Sequence, residues 1–196
     1  MSVVVLFLLV ASMPQGVDKP PPVGNIWFGL LASDEPADFR LLISAAPQAI
    51  DEFEAILNNP ESTASRVTRL YGVLASAKID HKRFFTSALR DLSHPNASVR
   101  MAAADYAGHV GGVQFAAPLL MQAFHDPKAD VCNAARRAVT KIGDEGTVAA
   151  LDHFIRFGGG RTYEPADQKV FVEVYTKTRD EIKARLAAAK PAPPKS

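Results

Sequence analysis

Five histidines, His81, His94, His109, His125 and His153, and a single cysteine, Cys132, carry the imidazole and thiol chemistry of this chain. Imidazoles suit a transition metal and a thiolate beside a base is a nucleophile, but either needs several groups gathered at one place. Here the histidines are scattered singly, with no Cys/His cluster at zinc-ligand spacing. His125 is followed by Asp126, yet an aspartate before Pro127 reads as a helix cap followed by a residue suited to the first turn. His109 falls at a helix end, where a cationic side chain meets the helix dipole favourably. Gly158-Gly159-Gly160 lacks the preceding strand and the lysine of a phosphate loop and reads as a break between helices. No catalytic residue, metal site or cofactor is assigned, and the expected function is binding rather than catalysis.

The elements that position these residues follow from composition and periodicity. With 196 residues, 47% hydrophobic and 22% charged, the chain is long enough for one domain with a real core. A net charge of +1 gives no global attraction to nucleic acid. The lone cysteine excludes an intramolecular disulfide, so packing must supply the stability. Runs of β-branched residues with period two are missing, and almost everything after Pro20-Pro21-Pro22 has helical periodicity, so the fold class is all-α.

Sliding the sequence against itself gives a match at 32 residues, the signature of a repeat architecture. Val99, Ala103, Tyr106, Ala107 and Val110 form one helix stripe, and Val131, Ala135, Ala138, Val139 and Ile142 repeat it. Pro95 coincides with Pro127 and Gly111 with Gly143; each glycine follows the last stripe residue, where a left-handed helix end is expected. Asn96 is the expected cap in the earlier copy. A second helix follows in each unit, with Ala116, Leu119, Leu120 and Ala123, then Val148, Leu151, Phe154 and Ile155. A degenerate copy has Val67, Tyr71 and Leu74, then Phe85, Ala88, Leu89 and Leu92. A further hairpin over about 36–58 has Phe39, Leu42 and Ile43, then Ile50, Phe53, Ile56 and Leu57, with Pro47 opening its second helix.

The ends differ from the repeats. A long helix near 166–188, with Phe171, Val174, Tyr175, Ile182 and Leu186 on one side, is expected to cover the last repeat's apolar face. The organisation expected is a signal peptide over 1–12, a proline-rich linker over 13–25, a repeat domain over 26–188 and a disordered tail over 189–196. The apolar run Val3 to Val10 is too short for a membrane-spanning helix and reads as the core of a signal peptide, although Met1-Ser2 carries no basic residue. Export to a periplasmic or secreted location is therefore one expectation and a cytoplasmic location the other.

The stretch Asp126-Pro127-Lys128-Ala129-Asp130-Val131, with Ala134-Ala135, Ala138-Val139 and Lys141-Ile142-Gly143, resembles a bacterial HEAT-like repeat, as does His94-Pro95-Asn96-Ala97-Ser98-Val99-Arg100 through Gly111. The resemblance is strong over 93–157, weaker over 61–92 and architectural before that. It implies a short right-handed α-solenoid of about four stacked αα-hairpins with a C-terminal capping helix, serving mainly in protein binding. One departure is that Cys132 stands where the preceding copy has Arg100, which interrupts a basic ladder. Some relatives implied by the resemblance are enzymes. Deoxyhypusine hydroxylase binds iron through His-Glu pairs, and this chain has no His-Glu dipeptide; the phycobilin lyases are built from similar repeats, and no motif here carries their activity. A bilin-lyase-like or metal-binding HEAT-like enzyme is the alternative reading.

Charge is the remaining signal. Residues 26–62 carry Asp34, Glu35, Asp38, Asp51, Glu52, Glu54 and Glu61 against Arg40, whereas 63–92 carry Arg66, Arg69, Lys78, Lys82, Arg83 and Arg90 against Asp80 and Asp91. Opposite charges in adjacent hairpins mean either solvated faces with intramolecular pairs or a bipolar binding surface. With second helices lining the concave side, as the resemblance implies, Lys82, Arg83, Arg90, Gln122, His125, His153 and Arg156 are the residues expected to meet a protein partner. His94 and His125 lie in turns between repeats.

Overall fold

The computed structural model describes residues 23–157 and 165–189, so the expected signal peptide, most of the linker, the triple glycine and the expected tail beyond Ala189 lie outside the described residues. The protein is all-helical, with ten α-helices, two short 3-10 turns and no strand among the described residues. It divides into two compact units, Met1–Ser87 and Ala88–Ser196.

The first unit contains α1 (Val23–Ala32), α2 (Pro36–Ala45), a 3-10 turn (Ala46–Gln48), α3 (Ile50–Asn58), α4 (Ala64–Ser76) and the start of α5 (Arg83–Asp91). The helix α1 opens inside the stretch read as linker and was not expected; it contributes Trp27 and Leu31 to the core. Trp27 meets Phe53 edge-on, with ring centroids 5.5 Å apart. Pro36 starts α2 after an extended Glu35, where its missing N–H costs nothing. Pro47 lies in the 3-10 turn, three residues before α3 begins at Ile50. Thr63 caps α4 by accepting from Arg66 N. That helix ends through Lys78 at φ 54, with Ile79 N bonded to Leu74 O and Lys78 N to Ala75 O, a closure usually given to glycine. In α5 it is Phe84 that is fully buried, while Phe85, expected on the stripe, is half-buried.

The second unit contains the end of α5, α6 (Ala97–Val110), a 3-10 turn (Val113–Phe115), α7 (Ala116–His125), α8 (Ala129–Ile142), α9 (Glu145–Phe157) and α10 (Pro165–Ala189). Both ends of α8 fall 32 residues after those of α6, and both helices have 14 residues. The two helices pack together, and small side chains allow it: Ala103, Ala104 and Ala107 on α6 and Ala134, Ala135 and Ala138 on α8 are all buried. A Cβ on Gly108 would stand 2.8 Å from Ala138 Cα, so the approach requires glycine. Across the same pair, Arg137 Nη2 donates to Asp105 Oδ1 at 3.2 Å, joining positions 32 residues apart.

The helix ends separate two expectations that sequence treats alike. Asn96 caps α6 as expected, its side chain accepting from Ser98 N at 2.8 Å. Asp126 does not cap α8, which begins at Ala129 after an extended Lys128. Its carboxylate is instead taken by Arg100 and by Lys128 N, and Pro127 stands before the helix rather than in its first turn. Gly111 ends α6 at φ 76, as expected for glycine. Gly143 has φ −58, an ordinary value, and is needed for space: a Cβ there would meet Val139 O at 2.8 Å and Thr147 Cγ2 at 2.9 Å.

The long α10 packs on α8 and α9 through Tyr175, Thr178 and Ile182, all buried at helical spacing. Tyr175 donates its hydroxyl to Ala123 O, Arg185 donates to Gly143 O, and Arg179 pairs with Asp152 at 2.9 Å. None of the helices among the described residues is long and apolar enough to cross a membrane.

Candidate partner-binding face

The seven residues expected to meet a partner have different fates. In the first unit, Lys82 is exposed just before α5. Arg83 is engaged with the acidic helix α3: Nε lies 2.7 Å from Glu54 Oε2, and Nη1 is bonded to Asp51. Those carboxylates hold the guanidinium above its ordinary pKa, the Asp51 hydrogen bond first among the causes. The neighbouring arginines behave similarly. Arg69 donates to Glu35 O at 3.4 Å and lies over the Phe39 ring, and Arg66 lies over Phe28. Opposite charges of the adjacent hairpins therefore meet within this unit at Arg83, and at Arg69, which lies 4.0 Å from Asp34.

In the second unit, Arg90 pairs with its neighbour Asp91, Nε to Oδ1 at 2.8 Å, the carboxylate being buried. Gln122 is 8% exposed and donates its amide to Leu92 O, tying α7 to the end of α5. His125 is half-buried beside Phe154, with ring centroids 6.0 Å apart. His153 and Arg156 are exposed on α9. Two of the seven thus share one solvent-facing stripe, with a third at its margin.

That stripe contains two residues sequence reasoning passed over. Met121 on α7 is 60% exposed and Phe157 on α9 is 66% exposed, as much as Val113 and Val170 elsewhere in the unit. Along α7 the outer face runs Ala117, Met121, His125; along α9 it runs Ala149, His153, Phe157, each 32 residues later. The two helices touch inside this face, where Phe124 stacks on Phe154 with the ring planes 7° apart. His153 leans on Phe157 with ring centroids 4.6 Å apart. The signal was available in the sequence, since Met121 and His153 occupy equivalent repeat positions that the buried stripe does not use.

Charge on the neighbouring rim is fixed by α10. Asp152 accepts from Arg179 and lies 3.5 Å from Lys183 Nζ, and the Arg179 hydrogen bond leads the causes that hold its carboxyl below the usual aspartate range. The acid on this edge is thereby paired, whereas Arg156 in the last turn of α9 stays exposed. The face is apolar with a cationic edge.

The other reactive residues have structural partners. Cys132 Sγ donates to Asp126 O at 3.3 Å, and His94 Nδ1 accepts from Asn96 N at 3.0 Å. Among the described residues no group of three or more His, Cys, Asp or Glu side chains is placed to hold a metal ion. No protein-family model matches the sequence, and no curated protein matches it either. The described residues form an all-helical protein in which Met121 and Phe157 stand exposed on α7 and α9.

Proposed function

We propose that this protein is a non-enzymatic interaction module, a short right-handed α-solenoid of about four HEAT-like hairpins closed by α10. It binds a protein partner along the outer face of α7 and α9. The observation that carries this reading is the exposure of Met121 and Phe157 beside His125 and His153, on helices that bury Leu119, Leu120 and Phe124, and Leu151 and Phe154. Exposed apolar side chains grouped on one face and rimmed by polar groups mark interaction sites, and aromatic residues and Met are enriched at such interfaces. The cationic edge at Arg156 favours a partner segment that places an acidic residue next to apolar ones.

The partner is sought by affinity capture from the native host with the wild-type protein and with a Met121→Glu, Phe157→Glu double variant. The reading expects one protein bound at stoichiometric yield by the wild type and at least tenfold less by the variant, with both chains equally folded. Purified protein carrying a chromophore or stoichiometric iron would instead favour the bilin-lyase-like or metal-binding alternative. N-terminal sequencing of the mature chain tests the export reading, which requires cleavage near residue 12.

A further inference from the structure

The charges of α10 fall into two sets. On the side that packs on α8 and α9, Arg179 and Lys183 meet Asp152, and Arg185 donates to Thr140 O and Gly143 O. On the outer side, Lys169, Glu173, Lys177 and Glu181 are all exposed and enter no ion pair among the described residues. These four stand at every fourth position with alternating sign, which puts them along one i, i+4 ridge of the helix.

An open groove of about 780 Å³ follows that ridge. Besides the four charges it is lined by Val172, Thr176 and Ala184, and by Asp180, which Arg179 holds. Val172 and Thr176 are half-buried. Small side chains beside a charged ridge leave room for the aliphatic stems of long side chains from another helix.

Read backwards, the ladder is its own complement. Two α10 helices crossing antiparallel at the level of Tyr175 set Lys169 opposite Glu181 and Glu173 opposite Lys177, and two-fold symmetry repeats both pairs. A crossing at about −50° interlocks i, i+4 ridges, the commonest packing of helices in globular proteins. A parallel pairing in register would face like charge with like.

We propose that the outer face of α10 pairs antiparallel with the same face of a second copy of this chain. The Lys and Glu side chains form the ion pairs, and their stems lie over Val172, Thr176 and Ala184. The face uses none of the residues assigned to the partner of α7 and α9. Exposed ion pairs are individually weak and screened by salt, so the dimer is expected to be half formed at on the order of 100 µM protein in low salt and to dissociate as salt is raised.

Sedimentation equilibrium of the full-length protein tests this with two double variants that change only exposed positions and keep the net charge. Glu173→Lys with Lys177→Glu gives the ladder Lys-Lys-Glu-Glu, in which every antiparallel pair is still opposite, so its dimer should match the wild type within about twofold. Lys169→Glu with Glu173→Lys gives Glu-Lys-Lys-Glu, in which every pair is like, so its dimer should be weaker by about tenfold or more. A wild type that stays monomeric up to about 500 µM overturns the proposal. A dimer that the two variants weaken equally, or that neither weakens, overturns it too.

Discussion

Arg100 in α6 holds both carboxylate oxygens of Asp126, 26 residues further on, with Nε 2.7 Å from Oδ2 and Nη2 2.9 Å from Oδ1. Its remaining nitrogen, Nη1, donates to His94 O and Pro95 O, in the turn 32 residues before that of Asp126. One guanidinium therefore ties two successive turns together. Cys132, in the position equivalent to Arg100, donates to Asp126 O at 3.3 Å.

The pair is enclosed, with side-chain exposures of 12% for Arg100 and 3% for Asp126. Removing one member strands the other, so Asp126→Asn is expected to destabilise the protein by about 2–4 kcal/mol at neutral pH. Urea unfolding measures this. Arg100→Ala with Asp126→Ala should cost less than the sum of the two single changes.

The same pair makes stability depend on acid. Burial pushes the Asp126 carboxyl up, but the Arg100 hydrogen bonds, the Lys128 N–H and the Arg100 charge outweigh it and hold the pKa below the usual range. A depressed folded value means that the contribution is complete above the unfolded pKa of about 3.9 and is lost as pH falls through the folded one. The stability difference between wild type and Asp126→Asn is therefore expected to be constant from pH 7 to about 5 and to shrink below about 4. A gap that stays the same down to pH 2.5 would contradict the assignment.

Gly108 and Gly143 are spatial requirements. Gly108→Ala puts a Cβ 2.8 Å from Ala138 Cα, and Gly143→Ala puts one 2.8 Å from Val139 O, both backbone atoms that yield little. Each should destabilise by about 1–3 kcal/mol. Gly29 lies in α1 with nothing within 4 Å, and Gly29→Ala should stabilise by about 0.5–1 kcal/mol through helix propensity. Thermal melts of the three variants order them.

Lys78 occupies the left-handed turn that closes α4, at φ 54. That conformation costs a non-glycine L-residue roughly 1–2 kcal/mol, part of which glycine returns as extra freedom of the unfolded chain. Lys78→Gly is expected to raise stability by about 0.5–1 kcal/mol, read from the denaturation midpoint.

The apolar stripes of α6 and α8 were legible because period and burial coincide: Val99, Ala103, Tyr106 and Ala107, and their counterparts from Val131 to Val139, are all buried. The long C-terminal helix was legible in part: Tyr175 and Ile182 of its expected side are buried, and Phe171, Val174 and Leu186 are half-buried. Polar residues were not, since their fate depends on neighbours distant in sequence. Asp126 looks like a cap locally and becomes the partner of Arg100, and Gln122 looks like a surface residue but is needed by Leu92 O. Both charge sets were visible, but not that Arg83 turns onto Asp51 and Glu54. Gly111 and Gly143 match in sequence and serve different ends, one conformational and one steric. Of the outer face of α7 and α9, sequence singles out His125, His153 and Arg156. Met121 and Phe157 went unnoticed because apolar residues at helical spacing read first as core.

Site-specific photo-crosslinking tests the central claim, that the outer face of α7 and α9 receives a protein partner, most directly. A photoreactive residue at Met121, His153 or Phe157 is expected to trap one and the same protein in the native host. The same probe at exposed Asn133 or Lys141 on α8 should trap none of it. A partner trapped from α8 and not from positions 121, 153 and 157 would contradict the account.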